Sequence, residues 1–167
     1  EVTPTATTVE KIAQSICFVD KGNKFTLLEK LLKDPAINRA LVFTRTKRRA
    51  RQLAEQLALA GHRAVGIQGN LSQPQRDRAM AGFRSRDYNI LVATDIVARG
   101  IDVSGVSHVI NFDVPDTPEA YTHRIGRTGR ATLTGVACTF VTSGDHEWVR
   151  ATERMIEFAA TLKAGGA

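Results

Sequence analysis

Six short runs of apolar, β-favouring residues, separated by stretches of helical periodicity, restrict what this chain can fold into. The runs are Ile16 to Val19, Ala40 to Phe43, Ala64 to Ile67, Ile90 to Ala93, His108 to Phe112 and Val136 to Val141. Runs such as ALVF and ILVA carry no polar residue at alternate positions, so neither face of such a strand is suited to water. Between the runs, Lys24 to Lys33 puts Phe25, Leu28, Leu31 and Leu32 on one helical face, and Lys47 to Ala60 does the same with Ala50, Leu53, Ala54, Leu57 and Ala58. Ser72 to Gln75 fits a capping box, with Pro74 tolerated in the first turn, and opens a helix through Met80 and Phe83. Thr117, Pro118 and Glu119 repeat the start signal before Ala120. Strands alternating with helices predict an α/β domain, a mainly parallel sheet covered on both faces. With 167 residues, 43% of them hydrophobic, the chain can build one sizeable core, which excludes a disordered tail or a coiled rod. Thr-rich Glu1 to Thr8 reads as the end of a linker and Lys163 to Ala167 as a small-residue tail, leaving 9–162 as the domain.

Charge narrows the partners. There are 23 Lys and Arg against 17 Asp and Glu, a formal charge of +6 that favours polyanions such as nucleic acid or nucleotide phosphate. No run approaches the ~18 apolar residues of a membrane span, and Glu1 to Thr8 lacks the layout of a secretion signal, so a soluble, cytoplasmic chain without membrane contact is expected. Cys17 and Cys138 each lie in an apolar run and form no CxxC pair, so they are expected to be structural, and the four histidines offer no metal spacing.

In open parallel sheets, ligands sit beyond the carboxyl ends of the strands, and the unusual residues lie in those loops. In HRIGRTGR, His123 to Arg130, Gly126 and Gly129 permit sharp turns, and Arg124, Arg127 and Arg130 recur every third residue. Side chains at that spacing can fan toward one anion, and the planar guanidinium binds phosphate oxygens bidentately; a solvated basic loop is the alternative. ILVATDIVARGID delivers Thr94 and Asp95 to the sheet edge, followed by Arg99, Gly100 and Asp102. The hydroxyl, arginine and glycine suit phosphate or sugar, and the carboxylate suits ribose hydroxyls, although Thr-Asp after a strand also serves simply to cap a helix. ALVFTRTKRRAR ends a strand in a basic helix start, which opposes the macrodipole and hints at an external anion. Arg45 and Thr46 are read as contacts there, and Lys47, Arg48, Arg49 and Arg51 as solvated. In GNLSQPQR, Gly69 leads into a capped helix whose free amides attract phosphate, with Arg76 in its first turns. Aromatic residues are only 6% of the chain, and Trp148, beside Val149 and Met155 in an amphipathic stretch, reads as core, so backbone contact is favoured over base stacking.

These motifs together resemble the second RecA-like domain of a DEAD-box RNA helicase. LVFTRTK looks like motif IV, SQPQR contains the QxxR of motif IVa, ATDIVARGID looks like motif V and HRIGRTGR looks like motif VI, in family order and covering about residue 9 to residue 160. LVFTRTK, the GN before SQ and the early VDKGNK look most like the bacterial RhlE group, with Gln68 standing where many relatives have His.

The resemblance implies a P-loop NTPase-type fold and half of an active site. It would bring Arg127 and Arg130 to the γ-phosphate of ATP, with His123 and Arg124 organising contacts to the other domain and counted with them as catalytic. Gly100 and Asp102 would bind ATP, Asp102 through the ribose. Arg45, Thr46, Gly69, Arg76, Thr94 and Arg99 would touch the RNA backbone or the domain junction. ATP and Mg²⁺ would be bound mainly by an amino-terminal RecA-like domain, because this chain has neither a GxxxxGK[ST] phosphate loop nor a DEAD tetrapeptide. The chain alone is therefore expected to be inactive. The rival readings are the matching domain of a DNA translocase, disfavoured by the RGID and HRIGRTGR wording, a stand-alone nucleic-acid-binding module, and a nucleotide-binding regulatory domain.

Overall fold

A computed structural model of the chain describes residues 12–98, 105–125, 135–153 and 160–163. Seven strands form one sheet: β1 (Ile12–Phe18), β2 (Ala40–Phe43), β3 (Ala64–Ile67), β4 (Ile90–Ala93), β5 (His108–Asn111), β6 (Gly135–Val141) and β7 (Ala160–Lys163). Their order is β3-β4-β2-β5-β6-β1-β7, and every pairing is parallel. The connecting helices are α1 (Lys24–Leu32), α2 (Lys47–Leu59), α3 (Gln73–Arg84), α4 (Asp95–Ala98), α5 (Pro118–Ile125) and α6 (His146–Glu153). The α/β architecture with a parallel sheet expected from the strand–helix alternation is the one observed, as the resemblance to a RecA-like domain also implied.

The uniformly apolar strands are buried on both faces because each face carries helices. Val42, Val92 and Ile110 pack with Leu28 of α1 and with Leu53 and Leu57 of α2. Their neighbours Leu41, Phe43, Leu91 and Val109 point the other way and pack with Ala79, Met80 and Phe83 of α3. Beyond β5, Ile16, Ala137 and Val141 pack with Tyr121 of α5 and with Trp148 and Val149 of α6. Trp148 meets Tyr121 edge-on, with ring centroids 5.4 Å apart, and is core as expected; Met155 lies outside the described residues.

β1 departs most from its expected limits, and one strand was not expected at all. β1 starts at Ile12, where Gln14 and Ser15 read as polar; Gln14 is nevertheless buried, because its Oε1 accepts the Tyr121 hydroxyl at 2.9 Å. β7 was not foreseen: ATLK is a short segment rich in helix formers, and pairing with β1, from Ser15↔Ala160 to Phe18↔Lys163, overrides that preference. Its last residue is Lys163, which the sequence reading assigned to the tail; the amino-terminal linker segment lies outside the described residues.

Cys17 and Cys138 face each other across β1 and β6, both buried and unbridged, with sulfurs 3.4 Å apart. The bond to Cys17, and then burial, push the Cys138 thiol up. No helix among the described residues is long and apolar enough to cross a membrane.

Candidate functional site

Because all strands are parallel, their carboxyl ends share one edge, and the loops after β2, β3, β4 and β5 gather there. Arg124 organises this edge. It projects from α5 and is only 2% exposed. Its Nε donates to Asp95 Oδ1 at 2.6 Å and its Nη2 to Asp95 Oδ2 at 2.8 Å, a bidentate pair. Its Nη1 donates to Asn111 Oδ1 at 3.0 Å and to the Asp113 carbonyl at 2.8 Å. The Asn111 amide is oriented in turn by donating to Thr139 Oγ1 at 3.0 Å. The guanidinium carbon lies 4.8 Å from the centroid of the Phe43 ring. One arginine thus ties α5 to the starts of the loops after β4 and β5. Sequence reasoning grouped Arg124 with the catalytic residues; in the structure its guanidinium is enclosed by Asp95, Asn111, the Asp113 carbonyl and the Phe43 ring.

Asp113, just past β5, is a second organising group and was missed. Its Oδ1 accepts from Lys24 Nζ at 3.0 Å and its Oδ2 from the Arg45 amide at 2.9 Å. Burial by itself would raise this carboxyl, but the Arg45 amide, Lys24 and Arg49 outweigh it and hold Asp113 below its ordinary value of 3.8. A carboxylate whose folded pKa is depressed stabilises the fold fully above its unfolded pKa, and that contribution fades as pH falls through the folded value. Acid unfolding followed by circular dichroism is expected to show such a loss below pH ~4, and Asp113→Asn to lower stability at neutral pH while flattening this acid limb. The signal in the sequence was an acid directly after a strand, the same placement that singled out Asp95.

The remaining expected residues divide by exposure. Arg45 is exposed; its Nη2 donates to the Val114 carbonyl at 3.1 Å and its Nε approaches Asp116 at 3.8 Å, a loose surface pair. Thr46 caps α2, its Oγ1 accepting from the Arg49 amide at 3.1 Å. Of the cations read as solvated, Lys47, Arg48 and Arg51 are exposed, but Arg49 is half-buried with its guanidinium carbon 5.1 Å from the Phe112 ring centroid. That stacking and the Lys47 Nζ bond to Asn70 Oδ1 at 3.2 Å help α2 tolerate a basic first turn.

Gly69 is exposed, and a Cβ there would meet nothing within 4 Å. The loop around it is closed by Gln68, whose Oε1 accepts the Asn70 amide at 2.7 Å. The expected capping box of α3 is present: Ser72 Oγ accepts the Gln75 amide at 3.3 Å, and Gln75 Oε1 accepts the Ser72 amide at 2.8 Å. Arg76 is half-buried in the first turns of that helix and forms no ion pair among the described residues. Thr94, expected to face RNA, is 7% exposed because it turns inward where α4 begins. Arg99, Gly100, Asp102, Arg127 and Arg130 lie outside the described residues, as does the side chain of His123 on α5.

A parallel sheet with phosphate-suited loops on its carboxyl edge and a buried arginine clamp between them fits an α/β domain that binds its ligands at that edge. Residues 23–132 match the helicase conserved C-terminal domain family. The chain is 51% identical over 154 residues to the DEAD-box ATP-dependent RNA helicase CshA of Geobacillus kaustophilus, covering 90% of this chain and 33% of that protein. It aligns with the Escherichia coli DEAD-box protein SrmB, in a structure with the regulator of ribonuclease activity A, at TM-score 0.86 and 39% identity, covering 92% of this chain and 91% of that one. It also aligns with Saccharomyces cerevisiae Dbp5 bound to RNA and ADP–BeF3 at TM-score 0.87 and 32% identity, covering 98% of this chain and 44% of that one. The chain belongs to the DEAD-box helicase family, as a C-terminal helicase domain. It spans about a third of the length of the curated relatives it matches. The narrower likeness to the RhlE group gains no support from these relatives.

Proposed function

We propose that this chain is the carboxyl-terminal half of an ATP-dependent RNA helicase, supplying arginines to ATP and part of the surface that grips RNA backbone. The observation that carries this reading is the Arg124 clamp. It anchors the end of α5, directly before the Gly126 to Arg130 stretch, to Asp95 at the carboxyl edge. ATP would bind between this edge and an amino-terminal RecA-like domain, with Asp102 on the ribose, Gly100 nearby, and Arg127 and Arg130 on the γ-phosphate. His123 would organise contacts to that other domain. Mg²⁺ would enter with ATP; no three His, Cys, Asp or Glu side chains among the described residues could hold it, so none is assigned to it. Arg45, Thr46, Gly69, Arg76, Thr94 and Arg99 would meet RNA phosphates or, as for the buried Thr94, the domain junction. The relative bound to RNA and ADP–BeF3 supports both ligands for a domain of this shape. The cytoplasm, where both ligands are available, is the proposed setting.

The test has two arms. Lacking a phosphate loop, the pure 167-residue chain is expected to release no phosphate from ATP, and turnover above a buffer control would contradict the reading. The chain is expected to bind RNA weakly, with strong salt dependence and no base preference, and Arg76→Ala to weaken unrelated RNAs by similar factors. A loss confined to one RNA sequence would count against it. In a two-domain protein, RNA should activate ATP hydrolysis where DNA does not; the reverse would favour a DNA translocase.

A further inference from the structure

The amino edge of the sheet, opposite the loops described above, is also charged. Arg39 directly precedes β2, Arg63 directly precedes β3, and Arg84 and Arg86 lie at the end of α3 and in the turn leading to β4. Because β3, β4 and β2 are neighbours, these arginines gather at one corner. Arg63 Nη1 donates to the Arg86 carbonyl at 2.9 Å. Arg39 is buried beneath them, its Nη2 donating to the Phe83 carbonyl at 3.0 Å and its guanidinium carbon 4.3 Å from the Phe83 ring centroid. Burial, and then the charges of Arg86 and Arg84, lower the pKa of Arg39, so the corner is positive enough for its members to disfavour one another. Arg63, Arg84 and Arg86 are exposed, and none forms an ion pair among the described residues; nor does Asp87, the one acid in the turn.

The backbone supplies an independent observation. Arg86 has φ +71°, the single positive value at a non-glycine residue among those described. It follows the C-cap Ser85 of α3, and its amide returns to the Phe83 carbonyl at 3.3 Å. This is where helices favour glycine, because a Cβ crowds the backbone in the left-handed region. Glycine would keep the carbonyl that Arg63 uses without that crowding; the arginine found there instead adds a third exposed guanidinium to those of Arg63 and Arg84.

We propose that Arg63, Arg84 and Arg86 form a second phosphate-binding surface, which holds a flanking stretch of RNA outside the interdomain cleft. Guanidinium forks suit successive phosphates. Tyr88, the aromatic residue of the turn, is half-buried, and a Cβ on Gly82 would come within 2.6 Å of its ring, so it offers no stacking platform and the surface reads charge alone. RNA is favoured over an acidic protein because residues 84–88 and Arg63 present no large exposed apolar side chain to centre a protein interface.

The experiment titrates the 167-residue chain with a long oligouridine, and with one too short to leave the carboxyl-edge site, at several salt concentrations. Arg86→Gly is expected to leave or raise the melting temperature, yet weaken the long RNA about threefold. Arg63→Ala with Arg84→Ala and Arg86→Gly should weaken it about tenfold or more and make the salt dependence shallower by roughly two in log–log slope, with the short RNA unchanged. Unchanged long-RNA affinity in a triple variant that melts normally would overturn the proposal, as would equal losses for both RNAs. Loss of polyglutamate binding with RNA unaffected would overturn it in favour of an acidic protein partner. Arg76→Ala weakens both RNAs if the carboxyl-edge reading holds, so the two readings fail separately.

Discussion

Arg130→Ala, made in a two-domain protein that carries this chain, is expected to cut RNA-stimulated ATP turnover at least roughly a hundredfold while the domain stays folded. The magnitude follows from the role. An arginine that reaches the γ-phosphate only when two domains close stabilises charge present in the transition state, and such groups contribute ~10³ to 10⁵ in rate. Arg127→Ala should behave alike. Arg→Lys at either position keeps the charge but loses the planar fork that spans two oxygens, so catalysis should suffer more than ATP binding. The double substitution should cost far less than the product of the single losses, because in the proposed role both arginines act on one developing charge. Single-turnover rates set beside melting curves decide the matter. Near-normal turnover in well-folded variants would mean that these arginines only solvate a surface loop.

What could be read in advance followed from local rules. Val42 and Val92 sit in runs with no polar alternation, and such strands need helices on both faces, which α1, α2 and α3 supply. The α3 start was legible because its capping box satisfies its own amides. β7 was not legible, since Ala160 to Lys163 becomes a strand only through pairing with distant Ser15 to Phe18. The start of β1 before Ile16 was not legible for the same reason: Tyr121, the partner that buries Gln14, is remote in sequence. At the site, residue type marked Arg45 and Arg76 as anion ligands, but types alone could not separate Arg124, turned inward on Asp95, from the other arginines of HRIGRTGR. Asp113 escaped notice because its partners Lys24 and Arg45 come from two other elements.

The inward arginine yields the other large effect. Arg124→Ala is expected to lower domain stability by roughly 2 to 4 kcal/mol. It strands a carboxylate, the Asn111 carbonyl oxygen and the Asp113 carbonyl together. The loss should fall short of the ~3 to 5 kcal/mol of a wholly buried pair, because Asp95 keeps 28% of its side-chain exposure and water can reclaim part of it. For a domain of this size that is a fall of about 5 to 15 °C in melting temperature. Arg124→Lys should recover only a minor part, since one ammonium cannot meet both Asp95 oxygens and two further acceptors. Asp95→Asn should also destabilise, and Arg124→Met combined with Asp95→Asn should cost clearly less than the sum of the single changes, the mark of direct coupling. Positioning adds a kinetic signature: well below the melting temperature, Arg124→Lys in the two-domain protein should lower kcat for ATP while binding of short RNA at Arg45 and Arg76 is retained. If Arg124→Ala shifts stability by less than about 1 kcal/mol and turnover holds, α5 is oriented by its Tyr121 packing instead, and the clamp at the carboxyl edge has no positioning role.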